Sequence, residues 1–478
     1  MKMKKKLSSV VAALLAVVTL TQGASAAFSG YLLNDPTYSL SENGFVYKEQ
    51  TVQEGGQQKL FYGEYNATSD DAEYEWVIHS VRSGSDTTLS TVMDIAKDYE
   101  TQTGRKVMFA SNGDYFYTTG NNVESYVNDG IVISKGAFTH KHCIGFDNKG
   151  KVVIGRMTEV EKRLMLVLDG QRHFFEIDAY NKDPGENGIA IYSTPGTYTL
   201  ENAGKYICKS SSSNLTNYPV WGQSNRMSDG EVTNNDSFTL RSGQFAVVVR
   251  GDNAQYFYDS IKYGVEVDLI EIPGGKFEGC TWVLGGYDIL VDEYKVNTDC
   301  HTDNDGSGKA PRTFIGFKED GTAFLCMVDG RGSGGSVGIS VNKEAELASA
   351  LGAKYALELD GGGSTTAIVR IDNQLTLRNT PSDGHMRRVS NAIMLVEKKK
   401  EEPAQKPDDT TGSETIPDTI PSTTPDTTPG TATNTVPVTD PGTSGQNSNG
   451  SAGIVAAAVV AVIFVAGVAM RIIEKRKH

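Results

Sequence analysis

The chain is poor in cysteine and histidine and has no surplus of positive charge, and each shortage removes a class of function. Its five cysteines, Cys143, Cys208, Cys280, Cys300 and Cys326, are spread along 478 residues. That is too few and too scattered for a disulfide framework, and no CxxC pair offers metal spacing. Cys280 and Cys300 flank one loop and are able to pair outside a cell; the odd count leaves at least one cysteine over. The seven histidines form no cluster, which weakens a metal-dependent phosphodiesterase reading. The stretch "HTDNDGSG" (301–308) lacks the closing Glu of an EF-hand loop, with Arg312 twelfth from His301. No cofactor is expected, bound calcium being left open. The formal net charge is −14, and both ends of the chain are basic, so the middle is more acidic still. Such a balance argues against nucleic acid and against adhesion to anionic lipid. An anionic substrate would have to be met locally, by a few arginines.

The ends say where the chain is expected to work. Lys2, Lys4, Lys5 and Lys6 precede an apolar run, "VVAALLAVVTL", and the small-residue site Ala24-Ser25-Ala26. This reads as a bacterial-type secretory signal, residues 1–26. Residues 452–470, "AGIVAAAVVAVIFVAGVAM", form an unbroken apolar run of membrane-spanning length. The basic tail 471–478 follows, and basic flanks stay in the cytoplasm. No LPxTG-like sorting motif precedes the run. The expectation is a single-pass cell-membrane protein with an extracellular N-terminal ectodomain and a cytoplasmic C-terminus. Residues 398–451 are dominated by Pro, Thr, Ser, Gly and Asp and read as a disordered stalk. What remains is an N-terminal extension, 27–72, and a main domain, 73–397.

Within the main domain, helix-like segments lie at 88–103 and 340–352, each opening on a Ser or Thr suited to an N-cap. Between them, from 143 to 295, short alternating segments such as "CIGFDNKGKVVIG" and "LMLVLDGQRHFFEID" read as antiparallel hairpins. The fold class expected is α+β, a strand-rich mixed-sheet core with few helices. The two helical segments are followed by similar words, "RKVMFASNGDYF" (105–116) and "AKYALELDGGGS" (353–364). Hairpins of similar wording occur at 143–155 and 314–326. One reading is an internal duplication that brings both glycine turns to one end of a shared sheet; the other is two ordinary helix–strand units.

The stretch "YALELDGGGSTTAIV" (355–369) carries the most chemistry. In a strand, side chains alternate faces, so Glu358 and Asp360 project together while Leu357 and Leu359 anchor the other side. Gly361, Gly362 and Gly363 remove every β-carbon and free backbone amides to approach an oxygen-rich ligand, and Ser364 adds a hydroxyl. Three further clusters match it. "PRTFIGF" puts Arg312 at a strand start, "FLCMVDGRGSGG" ends a strand in Asp329-Gly330-Arg331, and "ASNGDYF" ends one in Asn112-Gly113-Asp114. Together they make a site for a polar, partly anionic ligand. The plainer alternatives are a tight turn capped by Asp360 and a structural Asp329–Arg331 ion pair.

The words "NGDYF", "GGYDILV" (285–291), "PRTFIGF", "VDGR", "ELASALGAKYALELDGGGSTT" and "RRVSNAIML" (387–395) resemble, in wording and order, the phosphodiester glycosidase domain family of the "uncovering enzyme" type. The resemblance spans about 73–397. Glu358 stands where the family pattern usually has Asn, so its role is open between second carboxylate and stand-in for the amide. The resemblance implies a hydrolase that cleaves the glycosidic bond of sugar-1-phosphodiesters; together with the expected location outside the cell, it points to cell-wall or exopolysaccharide glycans as the substrate class. On that reading Asp360 is base or nucleophile, Arg312 and Arg331 hold phosphate, and Asp329 orients Arg331. Asn112, Asp114 and Ser364 bind sugar hydroxyls, and the amides of Gly361–Gly363 face ligand oxygens. The rival expectation is a surface carbohydrate-binding or adhesive protein with a degenerate site.

Overall fold

The computed structural model describes residues 33–83, 86–136, 142–168, 170–200, 205–209, 225–226, 229–231, 237–242, 244–251, 254, 256–257, 266–300 and 308–399. The candidate signal, the apolar run 452–470, the basic tail, nearly all of the stalk and the 301–307 loop lie outside the described residues. Among the described residues no helix is long and apolar enough to cross a membrane.

The chain opens with a meander of β1 (Tyr38–Glu42), β2 (Phe45–Gln53) and β3 (Gln57–Tyr65). The β1–β2 turn is Asn43-Gly44, both at positive φ, as the tight hairpin turn that matches strand twist requires. Next come β4 (Tyr74–His79), α1 (Val92–Thr103) and β5 (Val107–Asn112). Helix α1 buries Val92, Ile95, Ala96 and Tyr99, one stripe at helical spacing. The Thr91 side chain accepts from the Asp94 amide at its start, and Gly104 at φ 70 closes its end. It begins later than 88 because Ser90–Thr91 pairs with Arg388–Val389 as a short ladder.

Strands β6 (Ser125–Asn128), β7 (Ile131–Lys135), β8 (Cys143–Phe146) and β9 (Val152–Gly155) follow. The described residues between 160 and 273 then form further short strands around two apolar clusters of their own, one containing Val247 and the other Val248. The chain continues through β10 (Trp282–Gly285), β11 (Ile289–Asp292), β12 (Lys295–Val296), β13 (Arg312–Phe317) and β14 (Ala323–Val328). It ends with α2 (Val341–Ala350), β15 (Tyr355–Glu358), β16 (Ala367–Ile371), β17 (Gln374–Leu377) and β18 (Ala392–Glu397). The Ser340 side chain caps α2, as the sequence predicts.

Strands β1–β18 form three sheets. Their orders are β1-β2-β3-β14-β13-β15-β11-β12, β17-β16-β5-β18-β4 and β7-β6-β10-β8-β9. The eight-stranded sheet is buried on both faces. One face joins the main core with Tyr47, Trp76, Phe109, Phe146, Leu325, Leu357 and Leu359. The other packs under α2 with Phe314, Phe324, Cys326, Val341 and Leu347. Burial on both faces explains why β13 and β14 read as nearly continuous apolar runs.

The strand-rich α+β expectation holds, and within these three sheets every pairing is antiparallel. Residues 38–65, expected as an extension, supply three strands of the largest sheet, with β3 paired to β14 from Tyr65↔Ala323 to Leu60↔Val328. The Cys280–Cys300 bridge is corrected: both are free and buried. They lie in different apolar clusters, Cys280 beside Phe277 and Cys300 with Leu290 and Val291. The two similar helix–strand units enter different sheets, β5 in one and β15 in another. Their glycine turns nevertheless meet, across the gap between sheets rather than at one end of a shared sheet.

Candidate active site

The meeting point is fixed by backbone hydrogen bonds. The Asp360 amide donates to the Gly113 carbonyl at 3.1 Å, Leu359 to Thr313 at 2.9 Å and Gly362 to Pro311 at 2.9 Å. Asn112, at the end of β5, is fully buried and joins the sheets with its side chain. Its amide nitrogen donates to the Asp360 carbonyl. Its oxygen accepts from the Thr366 amide at 3.1 Å and the Thr313 hydroxyl at 3.2 Å. The amide expected to hold a sugar hydroxyl holds the protein instead. The Gly362 amide is likewise taken by Pro311 rather than open to ligand, and a β-carbon at Gly361 would lie 2.8 Å from the Pro311 oxygen. Part of this turn is glycine because backbone passes against backbone.

Behind the turn lies a buried charge pair. Arg312 and Glu358 are 3% and 1% exposed, with Nη1 3.2 Å from Oε1. Arg312 Nε also donates to the Ile339 carbonyl at 3.2 Å and Nη2 to the Gly308 carbonyl at 2.8 Å. All three arms of the fork contact protein, so Arg312 sits as a clamp on Glu358 and the two loops, not as an open phosphate ligand. The Tyr115 hydroxyl donates to Glu358 Oε1 at 3.3 Å. Burial, then the charges of Glu358 and Asp360, hold the Tyr115 phenol well above its ordinary range, so it remains a donor. The expected pairing of Glu358 and Asp360 on one face is only partly realised. The strand stops at Glu358, which stays buried, while Asp360 emerges partly exposed.

Asp114 is buried too. Desolvation pushes its carboxyl well above the ordinary value, and the nearby Glu124 and Asp360 charges push it further. Asn122 and the Glu124 backbone act in the other direction, but neither carboxyl oxygen has a well-formed hydrogen-bond partner. The Asp114 amide donates to Asn391 Oδ1 at 3.0 Å. Asn391 Nδ2 and Ser364 Oγ are also buried without a protein partner. A β-carbon at Gly285 would lie 2.6 Å from Asp114 Oδ2, so the glycine at this strand end makes room for the acid. Orphaned polar atoms are rare in protein interiors and ask for an explanation; here Asp114 and Asn391 adjoin one another and Ser364 closes the glycine turn.

The rim is different. Arg331 is exposed and its backbone is left-handed, φ 57. Its guanidinium lies over the glycine turn, with Nη1 and Nη2 each 3.2 Å from where a Gly362 β-carbon would be. Asp329, expected to orient Arg331, does something else. Its two oxygens accept from Asn379 Nδ2 and the Thr380 amide, each at 3.0 Å. It thereby tethers the loop after β17. Burial raises its carboxyl to about 6, against the partial opposition of those hydrogen bonds. That loop returns over the turn: a β-carbon at Gly363 would lie 2.2 Å from both Arg387 Nη2 and Asp383 Oδ2.

Sequence reasoning missed Tyr115, Asn379, Asp383, Arg387 and Asn391. Tyr115, Arg387 and Asn391 do fall inside words that carry the family resemblance, which is the signal that could have found them. Asn379 and Asp383 have none. Among the described residues no group of three or more His, Cys, Asp or Glu is placed to hold a metal ion.

Residues 202–396 match the model of the phosphodiester glycosidase family. The matched stretch contains Arg312, Asp329, Arg331, Glu358, Asp360, the glycine turn and Arg387; Asn112 and Asp114 precede it. Among solved structures the chain is similar to a hypothetical protein from Synechocystis, at 18% identity and a TM-score of 0.44, over 76% of this chain and 64% of that one. The chain therefore spans less than two thirds of that protein's length. It is also similar to the catalytic domain of zebrafish N-acetylglucosamine-1-phosphodiester alpha-N-acetylglucosaminidase auto-inhibited by its pro-peptide. There the identity is 13% and the TM-score 0.35, over 76% of this chain and 86% of that one. No curated protein matches the chain.

Proposed function

We propose that the chain is a hydrolase that cleaves the glycosidic bond of sugar-1-phosphodiesters. The observation that carries this reading is the exposed Arg331 guanidinium laid over Gly362, two residues from the partly exposed Asp360. A planar guanidinium matches two phosphate oxygens at once, and on this reading the Asp360 carboxylate serves the anomeric carbon attached to that phosphate. In the reaction, water oxygen ends on the anomeric carbon, and the bond to the phosphate oxygen breaks with its electron pair on phosphate. Asp360 acts as base toward the water or as nucleophile. The leaving phosphomonoester is stable as an anion, so strong acid help is not required.

The buried residues support this arrangement. Asp114, whose burial favours the protonated form, offers a polar contact, and Ser364 Oγ and Asn391 Nδ2 offer further ones for sugar hydroxyls. Arg312, Glu358, Tyr115 and Asn112 hold the strand ends in register. The test is to incubate the protein with UDP-N-acetylglucosamine and a panel of sugar-1-phosphodiesters, and to follow free sugar and phosphomonoester. Equal release of both is expected. Binding of glycans with no release from any phosphodiester would replace the enzyme with a carbohydrate-binding surface protein.

We also propose that the enzyme works outside the cell, tethered by residues 452–470 on the 398–451 stalk, with cell-wall or exopolysaccharide glycans as its substrates. The support is the signal-like 1–26 segment and the apolar run followed by basic residues. Protease treatment of intact cells should remove the body of the protein; complete protection would overturn this placement.

A further inference from the structure

We infer that Arg387 is a second anion-binding residue of this site, poised to take the charge that the phosphate gains as it leaves. The inference rests on the phosphodiester reading above and adds a residue and a step to it. Arg331 lies against Gly362 and Arg387 against Gly363, successive residues of one turn whose Cα atoms are about 3.8 Å apart. Next in the chain is the Ser364 hydroxyl, fully buried and without a protein partner. Two guanidinium groups and an unsatisfied hydroxyl thus surround one short turn.

Their charges are not in the same state. Among the described residues Arg331 makes no ion pair, so its charge is available to a phosphodiester, which carries one negative charge. Arg387 is neutralised at rest by Asp383, with Nη2 2.8 Å and Nε 2.9 Å from Oδ2. When the bond to the anomeric carbon breaks, the phosphodiester monoanion becomes a phosphomonoester dianion. The second negative charge appears only then. Arg387, 40% exposed at its side chain, can exchange Asp383 for that oxygen with little loss. An interaction made mainly after charge has developed raises kcat more than it lowers KM. The loop is held for this purpose: Asp329 fixes Asn379 and Thr380, and the Gly384 amide closes a turn on Pro381 at 3.0 Å.

The experiment compares the full-length protein with its Arg387→Gln and Asp383→Asn variants, each checked by thermal melting. Turnover is measured on UDP-N-acetylglucosamine and on a sugar-1-phosphate ester of a second sugar. Inorganic phosphate binding is measured separately by calorimetry. Arg387→Gln should lower kcat about ten-fold or more with KM changed less than about three-fold, and should weaken inorganic phosphate. Asp383→Asn, which keeps the guanidinium and removes its counter-ion, should tighten phosphate. Wild-type kcat and phosphate affinity in Arg387→Gln would overturn the inference, and so would unchanged phosphate affinity in Asp383→Asn if the first variant does not fold. Should the wild type cleave no phosphodiester yet bind phosphate through Arg387, the hydrolase reading falls and the anion site stands. A wild type that binds no phosphate removes the anion site.

Discussion

Arg312 and Arg331 come from the same hairpin, one at the start of β13 and one just past the end of β14, and both stand next to glycine-rich turns. Arg312 is 3% exposed and its three arms contact Glu358, Ile339 and Gly308. Arg331 is exposed and lies over Gly362. The carboxylates divide in the same way: Glu358 is buried against Arg312, and Asp360, two residues on, reaches the rim. A buried ion is costly unless every partner is in place, so the inner pair cannot leave its contacts to serve a ligand. A charge at the rim is kept solvated and can exchange partners. On the hydrolase reading proposed above, the difference gives shape to the inner set and chemistry to the outer one.

The largest effect should come from breaking the inner pair. Arg312→Met leaves Glu358 buried without its cation and should cost about 3–5 kcal/mol of stability. The same change at Arg331 should stay within about 0.5 kcal/mol, as for most surface positions. Denaturant melts of both variants make the comparison, and a wild-type midpoint for Arg312→Met would collapse the distinction between inner and outer charges. Glu358→Gln keeps an acceptor for Arg312 and Tyr115 and should be milder, in line with the amide that the family pattern usually has there.

Asp329 gives the next largest effect and separates anchoring from catalysis. Its carboxyl is raised from 3.8 to about 6 in the folded protein. A group raised on folding contributes stability that is fully present below its unfolded value and lost as pH rises through its folded value. From this group alone, stability should fall between about pH 4 and pH 6, by up to about 3 kcal/mol at about 1.4 kcal/mol per unit. Asp329→Asn removes that slope, so the variant should gain on the wild type as pH rises toward 7. A stability difference that stays flat across this range would show that burial does not control Asp329.

How much of this was legible in the sequence differs between the two sets. Both helices, the Ser340 cap and the hairpins at 143–155 and 314–326 follow from local pattern, because caps and alternation are local physics, whereas the first helix was expected to open at Thr88 and is capped by Thr91. That the strand ends at Asn112 and Asp360 come together was also legible, since glycine beside acid or amide is unusual in apolar runs. Which of them face solvent was not legible. Asn112 is held by a partner 254 positions away and Arg312 by one 46 positions away, and nothing in a strand's own residues shows what packs against its end. The same limit hid Arg387, which reaches Gly363 through a returning loop, and the strands of 38–65, whose alternation mattered only once β14 was beside them.

Asp360→Asn tests the rim directly. If Asp360 performs chemistry, turnover should fall about a hundred-fold or more, about 2.7 kcal/mol, with substrate affinity largely kept. The Asp360 backbone carries the contacts to Gly113 and Asn112, which the substitution leaves in place, and a thermal melt of the variant separates lost chemistry from lost fold. Full activity in this variant would move the chemistry elsewhere, with Asp114 the next carboxyl to examine.

The smallest effects are expected at Arg331, and two substitutions there divide its charge from its shape and its backbone. Arg331→Lys keeps the positive charge and the left-handed backbone, but an ammonium cannot reproduce a planar two-point contact with phosphate. Turnover should drop about ten-fold, about 1.4 kcal/mol, at an unchanged melting temperature. Arg331→Gly removes the side chain altogether and relieves φ 57, a conformation that costs a non-glycine residue roughly 1–2 kcal/mol. Part of that relief is offset because glycine is freer when unfolded, so a gain below about 1 kcal/mol is expected, together with a larger loss of turnover than the lysine shows. A stability gain paired with lost turnover in Arg331→Gly would mark the left-handed backbone as serving function rather than folding. Wild-type turnover in Arg331→Lys would reduce Arg331 to a point charge, and wild-type turnover in Arg331→Gly would leave Arg387 as the arginine of the rim.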